Sequence, residues 1–267
     1  MKPPSQSFST GLARTLSKLG YCSRSAARKL VAEGQVEVNG KSVRDPEAPI
    51  QQGKDRITVR GTAVETPDYC YLMMNKPRGL VTTASDERGR QTVYSLVPNH
   101  HQWLSPVGRL DKASEGLLLM TNDSNWAAKI SSPETHMEKT YHVQIGSIPD
   151  ASILRVLISG VVDDGQLLKA RRVNFLRKGE KNCWLEIVLD EGKNRQIRRM
   201  LSACGIEVMR LVRTAIGSLQ LGDLPKGATR DLTVDEKRSL DRACRSEAVT
   251  EGVRRRVKGG RVKDQRV

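Results

Sequence analysis

One carboxylate in a short charged loop is the residue most suggestive of chemistry in this sequence. Residues 108–116 read Gly-Arg-Leu-Asp-Lys-Ala-Ser-Glu-Gly and lead directly into an apolar run at residues 117–120. A loop of this kind holds polar groups at the rim of a rigid strand, which is a common place for an active site. Asp111 lies in it between two cations. An Asp in a charged loop is more often a turn residue, however, so the segment alone leaves both interpretations open.

Two other segments favour a site. Residues 138–145 alternate as a strand that places Tyr141 on the apolar face, where it could also be an ordinary core residue. Residues 191–201 turn into a helix that begins near Asn194. Its first turns are crowded by three arginines: Arg195, Arg198 and Arg199. Cations are unfavourable at a helix N-terminus, which already carries a partial positive charge. The pattern therefore predicts an anionic neighbour, either a carboxylate or an RNA phosphate.

The composition predicts a nucleic-acid partner. Lys and Arg number 45 against 30 Asp and Glu, which gives a formal charge of +15 and a pI near 9.9. Such a field concentrates polyanions, and the release of counterions from phosphates then supplies affinity. An anionic membrane surface is the alternative on charge alone. No apolar run approaches the roughly 20 residues that are needed to cross a bilayer, so no membrane role is expected.

The cysteines and histidines do not predict a metal site. The five cysteines are scattered without a Cys-x-x-Cys pair, which argues against a disulfide framework and against a zinc ribbon. The four histidines lack a matching array of carboxylates or cysteines. Residues 1–11 are polar and contain no apolar core of a signal peptide. We therefore expect a cytoplasmic protein without a metal.

Residues 1–60 are predicted to form a small basic domain. Apolar spacing predicts a helix over residues 12–19, and Ser23 is placed to cap a second helix that runs to Glu33. The Asn39-Gly40 pair predicts a hairpin turn. Each helix carries two basic residues spaced four apart: Arg14 and Lys18, then Arg24 and Arg28. These side chains could simply form a solvated helix face, but two basic stripes in one small unit favour an RNA-phosphate surface.

The rest of the chain predicts an α+β domain. Residues 61–69 form a linker, residues 70–241 the larger domain, and residues 242–267 a basic tail expected to be disordered. The predicted strands cover residues 71–74, 117–120, 140–145, 173–176 and 184–189. The predicted helices cover residues 125–130, 152–159, 195–203 and 235–243. Strands and helices do not alternate strictly, so we predict a mixed, largely antiparallel sheet flanked by helices.

The chain resembles the RsuA family of ribosomal pseudouridine synthases, in which an S4-like RNA-binding domain commonly precedes the catalytic domain. The resemblance covers about residues 12–240 and lies in five segments of matching order and spacing. They are MNKPRGLVTT (74–83), PVGRLDKASEGLLLMTND (106–123), EKTYHV (138–143), EGKNRQIRRML (191–201) and LVRTAIGSLQLGDLPKG (211–227). GRLD and RQIRRM together are highly specific to the family, whereas each alone is less so.

The resemblance implies a reaction and a set of residues. Asp111 would be the catalytic carboxylate, which either attacks the ribose C1′ or assists the departure of uracil by a glycal route. Arg198 would lie beside it, and Tyr141 would pack against the target base. The uridine would be flipped out of the RNA, and Arg109 would fill the space it leaves. Isomerisation gains no atoms or electrons, so no cofactor and no metal are expected.

Further cations in the matched segments would contact or position RNA. They are Lys76, Lys139, Arg195 and Arg199. The expected partner is ribosomal RNA or a pre-ribosomal particle, with large-subunit RNA favoured over small-subunit RNA, and the default state is a monomer. Two alternatives remain from the sequence. One is a non-catalytic RNA-binding or ribosome-assembly factor, and the other is a glycosidase-like hydrolase with Glu115 as its second carboxylate.

Overall fold

The structure, a computed structural model, describes residues 10–65, 68–84, 86–97 and 103–244. Within these ranges, a small N-terminal domain precedes a larger domain built on a nine-stranded mixed sheet. Helices pack on the larger sheet without alternating regularly with its strands. The predicted α+β fold class is therefore confirmed.

The N-terminal domain packs two helices against short strands. Ser23 caps the second helix by accepting a hydrogen bond from the Ala26 amide, as predicted. Asn39 and Gly40 both have positive φ and close the predicted hairpin. The helices are α1 (Leu12–Lys18) and α2 (Arg24–Ala32). The strands are β1 (Thr10–Gly11), β2 (Val36–Val38), β3 (Lys41–Ser42), β4 (Pro49–Ile50), β5 (Ile57–Val59) and β6 (Thr62–Ala63).

The larger sheet has the order β13-β14-β10-β15-β9-β7-β17, with β16 beside β15 and β8 beside β9. These strands are β7 (Tyr71–Lys76), β8 (Ser105–Val107), β9 (Glu115–Thr121), β10 (Lys139–Ile145), β13 (Arg172–Lys178), β14 (Cys183–Leu189), β15 (Val208–Ile216), β16 (Leu219–Gln220) and β17 (Thr229–Asp231). A separate hairpin joins β11 (Val161–Asp163) to β12 (Gln166–Leu168). In the described part of the sheet only β9 and β15 pair in parallel, which confirms a largely antiparallel arrangement.

Two buried clusters cover the large sheet. Apolar side chains that alternate along β10, such as Tyr141 and Val143, enter the larger cluster, as the alternation predicted. The second cluster contains Trp126 and Leu240. The helices are α3 (Ser124–Ser131), α4 (Ser152–Ser159), α5 (Gln196–Ala203) and α6 (residues 234–244), and two 3₁₀ turns cover Val93–Leu96 and Pro133–Thr135. The predicted bounds of α4 agree with the observed ones.

The central strand β15 was not predicted. Its two arginines, Arg210 and Arg213, interrupt a mainly apolar run, and a charged residue in a central strand normally argues against that assignment. Both have partners that are distant in sequence. Arg210 pairs with the Glu115 carboxylate, and Arg213 donates from Nε to the Leu117 carbonyl at 2.7 Å. The Glu115 carboxylate balances the charge of Arg210, whereas the Leu117 carbonyl satisfies only one donor of Arg213 among the described residues.

Two predicted boundaries are shifted. Strand β6 pairs with β5, so the N-terminal sheet extends into the segment predicted as a linker. Helix α6 continues through residues 242–244, which were assigned to the tail, because Ala243 and Cys244 pack against the second cluster. The remaining tail, residues 245–267, lies outside the described residues. In the described ranges no helix is both long and apolar enough to cross a membrane.

Strands β9 and β15 approach each other most closely at Gly116. Gly116 has a φ of +102°, and a Cβ at this position would lie 2.2 Å from the Arg213 carbonyl oxygen. Both the backbone conformation and the close contact therefore require glycine. This contact sets the spacing between the strand that follows the Asp111 loop and the strand that carries Arg213.

We predict that Gly116→Ala lowers the free energy of unfolding by about 3 kcal/mol or more, because it combines backbone strain with overlap of backbone atoms. Urea denaturation measures the change. Gly89→Ala is the matched control, since Gly89 also has positive φ but no atom lies within 4 Å of the added Cβ. It should cost about 1 kcal/mol. Equal losses in the two variants would contradict the assigned role of the close contact.

Candidate active site

Asp111 lies in the loop between β8 and β9, on the wall of a cleft of about 380 Å³. The side chain is exposed. In the described part of the chain its carboxylate makes no hydrogen bond and no ion pair, although its backbone is held firmly. The cleft is also lined by Tyr141, Lys139, Arg109 and Arg195. The structure thus brings four of the predicted site residues to the same cleft as Asp111.

Lys76 anchors the Asp111 loop. Its side chain is completely buried at the end of β7, and Nζ donates to the carbonyls of Pro77 (3.1 Å), Asp111 (3.2 Å) and Ser114 (2.8 Å). Burial lowers the pKa of Lys76 to about 8, although the negative charges of Asp111 and Glu115 oppose this shift. Of the two roles predicted for Lys76, a buried ammonium fits positioning. It cannot reach an RNA phosphate in this structure.

Thr82 holds the other side of the loop. Its Oγ1 donates to the Leu110 carbonyl at 2.8 Å and accepts from the Leu110 amide at 3.3 Å. The backbone is therefore held at residues 110 and 111, and again at Ser114. Ser114 lines the cleft, and its Oγ is buried without a hydrogen-bond partner in the described residues.

Tyr141 lies on β10 with its ring against the larger buried cluster, and it is 9% exposed where it faces the cleft. In the antiparallel register it lies directly opposite Arg213 of β15. Leu189 and Leu211 line the same region of the cleft. The ring thus belongs to the buried cluster and also lines the cleft, so the structure is compatible with both interpretations of Tyr141.

Arg198 extends from α5 towards the loop, but it makes no direct ion pair with Asp111 in the described structure. Its Nη2 donates to the Ala113 carbonyl (3.1 Å) and its Nη1 to the Val208 carbonyl (3.2 Å). Nε is buried without a partner in the described residues. Burial lowers the pKa of Arg198, and the negative charge of Asp111 opposes that change. Arg198 therefore acts on Asp111 through its charge, while its hydrogen bonds go to the loop backbone at Ala113 and to the β15 backbone at Val208.

Arg199, for which an RNA-binding role was predicted, is not among the residues that line the cleft. Its guanidinium binds the β11–β12 hairpin, with Nε donating to Asp163 at 2.5 Å and Nη1 donating to Gln166 at 3.0 Å. The anionic neighbour predicted for the helix start is thus, for this arginine, a carboxylate within the protein. Arg195 has positive φ, is exposed and lines the cleft.

Lys139 and Arg213 lie deeper in the cleft. Lys139 donates from Nζ to the Met137 carbonyl at 2.8 Å. Burial, together with the positive charge of Arg213, lowers the pKa of Lys139 to about 8, while the negative charge of Asp190 opposes the shift. Sequence reasoning did not identify Arg213. Residues 208–216 offer no alternating signal that could have placed it on a strand, because their apolar residues fall in the pairs 208–209, 211–212 and 215–216.

Glu115 stabilises the end of the Asp111 loop through ion pairs and is not among the residues that line the cleft. It is 5% exposed and accepts from Arg210 at 2.8 and 3.0 Å, while Lys226 lies 3.0 Å away. Burial alone raises the pKa of Glu115, but these two cations lower it overall. Glu115 does not line the cleft; the carboxylate of Glu191 does, and it is paired with Lys193 at 3.0 Å. In the described residues no group of three potential ligands could hold a metal.

The N-terminal helices present part of the predicted basic surface. Arg14 and Arg24 are exposed. Arg28 forms an ion pair with Glu47, which reduces its availability to a ligand. Lys18 lies in a depression that also includes Tyr69 and Asn125 of the larger domain, so it is near the contact between the domains.

Comparison with known proteins assigns the two domains. Residues 70–203 match the RNA pseudouridylate synthase family, and residues 10–57 match the S4 domain. The chain belongs to the RNA pseudouridylate synthase family. Ribosomal large subunit pseudouridine synthase B of Bacillus subtilis is 36% identical over 231 residues, covering 86% of this chain and 94% of that protein. The predicted family and enzyme class are confirmed.

Two further proteins match this chain over most of its length. An uncharacterized RNA pseudouridine synthase of Mycobacterium leprae is 37% identical over 236 residues, which is 86% of this chain and 91% of the relative. A crystal structure of a pseudouridylate synthase superposes with a TM-score of 0.62 at 28% identity, covering 86% of this chain and 99% of that chain. The similarity therefore includes both domains.

We predict that Lys76→Met removes a pH dependence of stability. The unfolded chain keeps the Lys76 proton up to its ordinary pKa of 10.5, whereas the folded protein releases it near 8. Between these pH values the unfolded state binds more protons, so the free energy of unfolding of the wild type rises with pH. The contribution is up to about 3 kcal/mol, and the variant should lack it.

Urea denaturation near pH 7.5 and near pH 10 measures this difference. Lys181→Met, at an exposed lysine, is the matched control and should follow the wild type. The same rise with pH in Lys76→Met and in the wild type would contradict a deprotonation of Lys76 within the folded protein.

Proposed function

We propose that this enzyme converts a uridine of ribosomal RNA to pseudouridine, with Asp111 as its catalytic carboxylate. The observation that carries the proposal is a carboxylate in the cleft that the described protein leaves unpaired, on a backbone held by Lys76 and Thr82. In the reaction the N1–C1′ bond breaks, a C5–C1′ bond forms, and the proton lost from C5 is balanced by a proton gained at N1. No other reactant is consumed.

Asp111 acts on the ribose while the base is detached. Its carboxylate attacks C1′ or stabilises the glycosidic carbon as uracil leaves, and both routes require an ionised carboxylate close to the sugar. The exposed position and the absence of an internal ion pair in the described residues leave its oxygens available to substrate. Backbone hydrogen bonds on both sides restrict the loop, which favours a reactive geometry.

Tyr141 and Arg198 assist Asp111 in different ways. The Tyr141 ring lines the cleft and offers a surface on which uracil can pack. Arg198 holds the loop through the Ala113 carbonyl and places positive charge near the carboxylate. Its buried Nε has no partner in the described residues, so a small rotation would allow it to donate to Asp111 when substrate is bound.

A uridine within folded RNA must leave its stack to reach Asp111, which costs a few kcal/mol. Arg109 is exposed and lies just before Leu110 and Asp111 in the loop. It lines both the main cleft and a neighbouring cleft of about 510 Å³. This position fits the proposed role of its side chain in filling the space that the flipped nucleotide leaves. Arg195 lies at the cleft as well and would contact the RNA backbone.

The substrate is proposed to be large-subunit ribosomal RNA. The relative from Bacillus subtilis is named a ribosomal large subunit enzyme, and the similarity extends over both domains. The S4 domain, with the exposed Arg14 and Arg24, would dock on RNA phosphates outside the cleft. The hydrolase alternative loses support, since Glu115 is held by Arg210 and Lys226 away from the cleft.

We predict that Asp111→Asn lowers pseudouridine formation by more than about a thousandfold, because an amide can neither attack C1′ nor stabilise it by charge. The RNA dissociation constant should change by less than about threefold. Release of tritium from C5-labelled uridine in unmodified rRNA measures the activity, and filter binding measures the affinity. Asp164→Asn, at an exposed turn, is the matched control and should keep full activity.

Turnover by Asp111→Asn would reject the assignment of Asp111 while leaving the RNA partner intact. Absence of product with the wild type on every rRNA would favour the non-catalytic assembly factor, and free uracil in place of pseudouridine would favour the hydrolase.

We predict that the double variant Arg14→Gln and Arg24→Gln binds rRNA more weakly and with a shallower dependence on salt. Each phosphate contact that is lost reduces the slope of log affinity against log salt by about 0.7 to 0.9. Measurements of the dissociation constant across a salt series give the slope. Lys181→Gln, an exposed residue of the larger domain, is the control. An unchanged slope in the double variant would contradict docking through the S4 domain.

A further inference from the structure

Arg213 is a buried cation whose charge no residue in the described part of the chain balances. It is 4% exposed, and within that part only its Nε has a hydrogen bond, to the Leu117 carbonyl at 2.7 Å. Nη2 is buried without a partner, and no carboxylate lies within 4.0 Å of the guanidinium in the described residues. Buried polar groups in proteins are almost always satisfied, and buried charges are normally paired. A guanidinium in this state therefore indicates a ligand.

Arg213 lies at the active-site cleft. Arg213 lines it together with Asp111, and its β15 position lies directly opposite Tyr141 on β10. Side chains that are opposite each other in an antiparallel pair lie on the same face, with Cβ atoms about 5 Å apart. Whatever packs on the Tyr141 ring is thus within reach of Arg213.

Lys139 adds a second cation to this part of the cleft. It lines the same cleft, and within the described ranges its Nζ has one acceptor, the Met137 carbonyl. The repulsion between Lys139 and Arg213 contributes to a pKa near 8 for Lys139, after the larger effect of burial. Two mutually repelling cations at an inner wall would both be stabilised by a negatively charged oxygen.

We propose that Arg213, supported by Lys139, forms an anion subsite that holds a carbonyl oxygen of the target uracil. The inference rests on the proposed function of the cleft. When the N1–C1′ bond breaks, its electron pair remains with uracil, and the negative charge spreads onto the ring oxygens. The guanidinium stabilises that charge until the C5–C1′ bond forms and N1 regains a proton.

The other source of anionic oxygen is the phosphate of the same nucleotide. The position of the subsite favours the base. A phosphate continues into the RNA chain and must stay near the cleft rim, where exposed Arg109 and Arg195 lie. A flipped base has no such connection and can enter the inner part of the cleft beside Tyr141.

The test uses the full-length enzyme and a synthetic RNA that contains the uridine modified by the wild type in an unmodified large-subunit transcript. We expect Arg213→Gln to lower the single-turnover rate by about a hundredfold to a thousandfold, the usual effect of losing one donor to a developing anion. The dissociation constant should change by less than about threefold. Arg213→Lys should recover part of the rate. Arg172→Gln, at an exposed arginine of β13, should match the wild type.

Substituted RNAs then identify the partner oxygen. Sulfur in place of O2 or O4 of the target uracil weakens the hydrogen bond, so one of the two substitutions should slow the wild type and cause little further loss in Arg213→Gln. If the rate loss caused by sulfur and the rate loss caused by Arg213→Gln multiply at both sulfur positions, the two changes act independently. This result would overturn the proposal. A neutral methylphosphonate beside the target uridine tests the phosphate instead. If it slows the wild type but causes little further loss in Arg213→Gln, the subsite binds phosphate and the proposal is overturned.

Two further results distinguish the proposed subsite from a purely structural role of Arg213 and from a failure of the proposed function. Thermal denaturation shows whether Arg213→Gln is folded; should it unfold, the sulfur substitutions are repeated with Arg213→Lys. A folded variant that is as fast as the wild type contradicts the subsite. A wild type that forms no pseudouridine contradicts the proposed function itself.

Discussion

The buried ammonium group of Lys76 is the interaction on which the site depends. It binds three carbonyls at the point where β7 ends and the Asp111 loop returns to β9. Burial of a charge is unfavourable, and the carbonyls together with the nearby negative charges of Asp111 and Glu115 offset that cost. Since the loop contains Gly108 and lacks regular structure, a flexible backbone would otherwise leave Asp111 without a defined position. Asp111 is therefore positioned through its main chain, and its side chain stays available.

The basic residues of the protein fall into two groups, those paired with carboxylates of the chain and those without such partners. Arg199, Arg210 and Arg28 are paired with carboxylates of the chain and stabilise the fold. Among the described residues, the cleft contains cations without such partners, above all Arg213, together with the unpaired carboxylate of Asp111. A cation balanced by the protein is of little use to a polyanionic ligand, whereas an unbalanced one is stabilised by binding it. The distribution of the pairs, rather than the net charge of +15, thus marks the surface that meets RNA.

Sequence patterns located the elements whose signals are local. The alternation in β10 placed Tyr141 correctly on the apolar face, and the spacing of residues 152–159 predicted α4. Strand β15 was missed, because Arg210 and Arg213 are acceptable in a central strand only with partners from the distant residues Glu115 and Leu117. The same limit explains Arg199, whose crowding at a helix start predicted an anion but could not distinguish Asp163 from RNA.

The sequence by itself determined the family, the fold class, the helix cap at Ser23 and the hairpin at Asn39 and Gly40, since these follow from motifs and from contacts between near neighbours. Only the tertiary structure decided which charges are buried, which are paired and which face the cleft. Such decisions depend on strand order and register: the parallel contact of β9 with β15 and the antiparallel pairing of β15 with β10 place Arg213 beside Tyr141. No pattern of neighbouring residues encodes that juxtaposition, because the energy that maintains it comes from contacts across the whole sheet.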